Sequence, residues 1–121
     1  KQWVDDANRQ GDKLVEEARQ KAGQLQKLAD QQIDQLKAEA DKKADDLIAN
    51  AGANPLKKLA AQEAANLIRS EAQKKADQLK IEAAEKADRG VMEAERKKQE
   101  LVDKAKRKGE ILIEEARNKK L

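Results

Sequence analysis

Small and apolar residues recur along the chain in steps of three and four, so that each block of eleven residues carries three of them. In the first half, residues eleven apart form the columns Gly11, Ala22, Ile33 and Ala44; Leu14, Leu25, Leu36 and Leu47; and Ala18, Ala29, Ala40 and Ala51. In the second half the columns are Ala65, Ala76, Ala87, Lys98 and Gly109; Ile68, Leu79, Gly90, Leu101 and Leu112; and Ala72, Ala83, Ala94, Ala105 and Ala116. Lys98 and Gly90 are the two positions that depart from the pattern. Eleven residues over three turns give about 3.67 residues per turn, so the pattern predicts helices whose apolar seam is straight or supercoils to the right.

One interruption of the repeat, at residues 50–55, predicts that the chain folds back on itself. Gly52 can adopt the left-handed conformation that ends a helix. Asn54 can cap the following helix, and Pro55 suits a first helical position because its missing N–H group has no partner there in any case. These three residues therefore form the candidate hairpin turn.

The predicted elements are a first helix over about 2–51, a turn over 52–54 and a second helix over about 55–120, which together make residues 1–121 a single hairpin. At 1.5 Å per residue the helices are roughly 75 and 100 Å long. A turn this short makes them antiparallel neighbours. The expected fold is therefore all-α, a long antiparallel two-helix hairpin that forms a straight to right-handed coiled coil.

The register of this hairpin places large residues opposite small ones. Folding about residues 53–54 pairs positions whose numbers sum to roughly 108, which sets Leu36 opposite Ala72 and gives the alternation that close packing needs. Ala18 falls opposite Gly90 and Val91, and Gly11 falls opposite Lys98, so we expect the loosest packing near these two layers. The leucine column is expected to supply most of the buried area, so the predicted packing seam consists of Leu14, Leu25, Leu36, Leu47, Ile68, Leu79 and Leu101.

Apolar residues outside the seam predict that the hairpin has a partner. The second helix outruns the first by about fifteen residues in this register, and further apolar positions widen the stripe, so we expect two hairpins to pair in a homodimeric four-helix assembly. The candidate partner contacts are Ile111, Leu112, Ile113 and Trp3, although the position of Trp3 in the leucine column favours a packed end layer over a partner contact. The unpaired end predicts a native chain that extends the first helix upstream by about ten residues or more.

Composition excludes most catalytic and metal chemistry. The chain has no Cys and no His, so it lacks a thiolate nucleophile, an imidazole base and the usual zinc ligands. A single aromatic residue and 42% charged residues also rule out a conventional globular core. Carboxylate pairs such as Asp41 with Asp45 are interleaved with lysine, and we interpret them as solvated surface. We therefore expect no enzyme activity, catalytic residue, metal, cofactor or small-molecule substrate.

Basic residues cluster in the second helix, where seven of the thirteen residues 96–108 are Lys or Arg. The candidate anionic-surface residues are Arg96, Lys97, Lys104, Lys106, Arg107 and Lys108. One interpretation is binding to nucleic acid or lipid headgroups. We favour a solvated face neutralised by nearby acidic residues, and we do not expect nucleic-acid binding because no aromatic residue is interleaved with the basic ones.

The runs KADQL at 75–79, KADDL at 43–47 and LVEEA at 14–18 resemble the alanine-rich hendecads of ATP-synthase peripheral stalks. They are also similar to the repeats of group 3 late-embryogenesis-abundant proteins, apolipoproteins and perilipins. The restart NPLKK at 54–58 resembles the alanine-rich helical tails of bacterial envelope proteins such as AsmA-like families, which implies a location in the cell envelope.

These patterns lead to a functional hypothesis with one main alternative. The leading hypothesis is a structural or interaction module, a helical spacer or scaffold that acts through coiled-coil packing with itself or with another helical protein. The alternative is reversible binding to a membrane surface, in which the hairpin opens and lays its amphipathic repeats on the lipid.

Overall fold

The computed structural model describes residues 2–119, and within that range the chain consists of two helices joined by a short turn. Helix α1 spans Gln2–Asn50 and helix α2 spans Pro55–Lys119. No strand occurs in this part of the chain. The all-α class predicted from the sequence is therefore confirmed, and the two helices pack against each other. The second helix was predicted to end near Lys120, which lies outside the described residues.

The turn is built by the backbone chemistry of three residues. After α1, the N–H group of Ala51 donates to the carbonyl of Ile48 at 3.3 Å, and Gly52 takes a positive φ of 69°. The side-chain Oδ1 of Asn54 accepts from the N–H group of Leu56 at 3.0 Å. That side chain thus fills the capping role at the start of α2, and Pro55 occupies the first helical position.

Interhelical contacts divide the chain into two units, which we describe separately. The turn unit consists of Leu25–Glu85. The terminal unit joins α1 up to Gln24 with α2 from Lys86 onward.

Alanine occupies most of the buried positions in both units. In the turn unit the buried residues are Ala29, Ile33, Ala40, Ala44, Ala65, Ala72 and Ala76; in the terminal unit they are Ala7, Val15, Ala87, Ala94 and Val102. Ala44 and Ala65 have no exposed surface at all. Because an alanine side chain buries little apolar area, the stability of each unit must be spread over many layers.

The leucine column lies at the margin of the buried stripe. Leu14, Leu25 and Leu47 are 36%, 40% and 39% exposed. The other members of the predicted seam, Leu36, Ile68, Leu79 and Leu101, are half-buried. The leucine column was expected to supply most of the buried area, and its members keep part of their surface exposed. The fully buried positions belong to the small alanine columns, which let the two backbones approach closely.

Candidate functional site

One edge of the turn unit is lined by aliphatic side chains. Leu36 of α1 and Ile68 of α2 face each other across a groove of about 320 Å³, with Ala40 and Ala72 also in its lining. Residues eleven apart share a helix face, so Leu25, Leu47 and Leu79 continue this row. We call these five large residues, Leu25, Leu36, Leu47, Ile68 and Leu79, the leucine edge.

Charged residues of both signs border the leucine edge. Glu39 and Lys43 of α1 line the same groove as Glu71 and Lys75 of α2. All four side chains are exposed. The groove thus combines half-buried aliphatic residues with two positive and two negative charges, as in helix pairs whose flanking charges select the partner.

The other side of the same alanine layer is polar. A second groove shares Ala40 and Ala72 with the first but is lined by Lys37, Asp41, Arg69 and Gln73. The two edges of the turn unit therefore differ in chemistry, since one offers aliphatic side chains and the other offers ion-paired ones.

Arg69 links α2 to α1 on this polar edge. Its Nε donates to Asp41 at 3.2 Å and its Nη2 donates to Asp45 at 2.9 Å. The carboxylate pair that we interpreted as solvated surface therefore holds a guanidinium group. The three side chains are 41%, 63% and 71% exposed, so solvent screens these pairs and each contributes about 1 kcal/mol or less.

The two helices of the terminal unit approach closely at Gly11, where we had expected loose packing. Gly11 is buried, and a Cβ atom placed on it would lie 2.8 Å from the Cβ of Lys98. The Nζ of Lys98 then donates to Asp12 at 2.5 Å. The expectation is wrong at this layer because the aliphatic part of the lysine fills the space that glycine leaves, while its ammonium group reaches the surface. At Gly90, the other layer expected to be loose, an added Cβ would meet nothing within 4 Å.

Trp3 packs with a cation on the exposed side of the terminal unit. The Nζ of Lys108 lies 5.6 Å from the centre of the indole ring, a distance typical of a cation–π contact. Trp3 is nevertheless exposed, as are Ile111, Leu112 and Ile113 of α2. These four candidate partner contacts therefore present apolar surface to solvent within the terminal unit.

The basic residues of α2 divide into paired and unpaired groups. Arg96 pairs with Glu100 at 2.6 Å, and Lys97 lies 3.9 Å from Glu93. Within the described part of the chain, four exposed basic residues at the end of this cluster have no carboxylate within 4.0 Å, namely Lys104, Lys106, Arg107 and Lys108. Intrahelical pairing thus neutralises the start of the cluster but not its end.

Three interhelical ion pairs could not be read from the helical repeat alone: Arg69 with Asp41, Arg69 with Asp45, and Lys98 with Asp12. The antiparallel register could have found two of them, because both the Asp12–Lys98 and the Asp41–Arg69 pairs have residue numbers that sum to 110. That sum lies two residues from the value used to align the helices. A search for opposite charges near that register would have identified both pairs.

Over residues 2–119, no helix is long and apolar enough to cross a membrane. The same residues contain no group of three or more acidic side chains placed to hold a metal ion. Comparisons of the chain with protein-family models, with curated protein sequences and with solved structures give no match.

Proposed function

We propose that this chain is a structural interaction module, a helical spacer or scaffold that associates through its leucine edge by coiled-coil packing. The observation that carries the proposal is the leucine edge itself. Leu36 and Ile68 line its groove. Leu25 and Leu47, each one repeat away along the same row, are more than a third exposed. Side chains placed in this way gain burial when a further helix covers them.

A second copy of the hairpin suits this edge because its bordering charges are balanced. The two negative charges of Glu39 and Glu71 equal in number the two positive charges of Lys43 and Lys75. In a two-fold arrangement the same patch meets itself, and acidic residues of one copy can face lysines of the other. The resulting assembly would have four helices, with the leucine edges of two hairpins at its centre.

The alternative in which the hairpin opens on a membrane has less support. Opening would exchange the packed alanine layers around Ala44 and Ala65 for contact with lipid. An alanine face offers little apolar area to a bilayer, so this exchange gains little free energy.

The proposal is tested by placing a charge on the leucine edge. Leu47→Glu would bury a carboxylate between two copies, so we expect the dissociation constant of the dimer to rise at least tenfold. Ile81→Glu is the matched control, since Ile81 is exposed in the same unit but belongs to a different column. Light scattering gives the mass of each variant, and circular dichroism verifies that both stay helical. Equal self-association of wild type and Leu47→Glu would overturn the proposal.

A further inference from the structure

The hairpin tip, residues 47–62, differs in charge from the rest of the molecule. Overall 42% of the residues are charged, but these sixteen residues contain only two charges, on Lys57 and Lys58. They also form the longest stretch of the chain without an acidic residue, between Asp46 and Glu63. The tip is therefore positively charged and largely apolar.

Helix stability does not account for this composition. Acidic residues stabilise the first turn of a helix and basic residues stabilise the last turn. The first turn of α2 has no acidic residue, and the last turn of α1 has no basic residue. The tip therefore lacks both of these stabilising charge interactions. Since helix stability does not explain the absence of acidic side chains, we look for the reason in what the tip binds.

Two leucines of the tip are exposed to solvent. Leu56 is 78% exposed, more than any other large hydrophobic residue described, and Leu59 is 56% exposed. They are three residues apart on α2, so they lie side by side on its surface. Lys57 and Lys58 lie between them in sequence and are exposed as well. At about 100° per residue, the two lysines lie on the opposite side of this first turn from the two leucines, so the end of the hairpin has an apolar side and a cationic side.

We propose that the hairpin tip docks on an anionic lipid surface. Leu56 and Leu59 would enter the boundary between headgroups and acyl chains, while Lys57 and Lys58 would meet the lipid phosphates. The tip carries leucine with lysine, a combination typical of segments that bind lipid interfaces, whereas lysine and alanine, also present here, are depleted at protein interfaces. A lipid surface therefore fits this composition better than an acidic protein does. The hairpin stays closed in this mode. Docking uses Leu56 and Leu59 and does not use Leu47, the one tip residue that belongs to the leucine edge, so it is independent of self-association.

Co-flotation of the full chain with vesicles tests the proposal. We expect the chain to float with vesicles of phosphatidylcholine and phosphatidylglycerol but to remain in solution with phosphatidylcholine alone. Leu56→Gln/Leu59→Gln should lower the partition coefficient at least tenfold, because it removes the apolar insertion. Lys57→Gln/Lys58→Gln should lower it about 25-fold, since each lysine near such a surface contributes about a factor of five.

Matched variants separate the tip from other parts of the chain. Leu67→Gln/Ile81→Gln removes two exposed apolar residues of α2 outside the tip, and Lys104→Gln/Lys106→Gln removes two unpaired lysines. Both should float as the wild type does. The proposal is overturned if the wild type does not float with anionic vesicles, or if the control variants lose as much binding as the tip variants. A third outcome would also overturn it: Leu56→Gln/Leu59→Gln still binds both polyglutamate and anionic vesicles as the wild type does. The tip would then bind anions through its lysines alone, without apolar insertion.

Discussion

Gly11 lies directly against Lys98, so that a Cβ atom on Gly11 would sit 2.8 Å from the lysine Cβ and 3.1 Å from its Cα. Both of those lysine atoms are held by the backbone of α2 and cannot move aside as a side-chain terminus can. The close approach of the helices at this layer therefore depends on the missing side chain of Gly11.

Gly11→Ala is expected to destabilise the protein, although alanine is the better helix former. Overpacking costs about 1–3 kcal/mol, against about 1 kcal/mol gained in helix propensity. At Gly23 and Gly90 an added Cβ meets nothing within 4 Å, so Gly23→Ala and Gly90→Ala should each stabilise by up to about 1 kcal/mol. Urea denaturation followed by circular dichroism at one protein concentration measures all three. A stabilising Gly11→Ala would show that the helices are not this close.

Asn54→Ala should destabilise the hairpin by about 0.5–2 kcal/mol, because it removes the side-chain oxygen that caps α2. That oxygen accepts from Leu56 N at 3.0 Å and lies 3.5 Å from Lys57 N. Asn54→Ser keeps an acceptor at this position and serves as the control, with a much smaller expected loss. Thermal denaturation compares the two, and equal melting temperatures would mean that the cap contributes nothing.

Ala65→Leu should destabilise the turn unit by about 1–3 kcal/mol even though it adds apolar volume to the interior. Ala65 has no exposed surface, so a larger side chain forces the two helices apart. Ala38→Leu makes the same change at an exposed position of α1, where stability should change by less than about 0.5 kcal/mol. Denaturant midpoints of the two variants provide the comparison. Tolerance of Ala65→Leu would indicate that the leucine column, and not the alanine layer, sets the distance between the helices.

The helices and their turn could be predicted from the sequence because they depend on local chemistry. The positive φ of Gly52 and the capping bond of Asn54 are properties of a few neighbouring residues. The α-helical conformation follows from an apolar pattern that repeats about every 3.67 residues along most of the chain. Neither requires knowledge of contacts between distant parts of the chain.

Which column would be buried could not be predicted in the same way. The repeat shows that the leucine and alanine columns share one side of each helix, but not which of them faces the other helix. That choice depends on how closely the two helix axes approach. Small residues such as Ala44 and Ala65 favour a short distance between the axes, whereas burying large residues such as Leu47 between the helices would require a longer one. The interhelical pair of Asp12 and Lys98 was missed for a related reason, since it requires the register to within two residues.

Sedimentation equilibrium of the unmodified chain, from 1 to 100 µM, tests self-association through the leucine edge most directly. We predict a species of twice the 13.5 kDa chain mass that dissociates on dilution and is lost in Leu47→Glu but retained in Ile81→Glu. A folded helical monomer of 13.5 kDa across this whole range would contradict it.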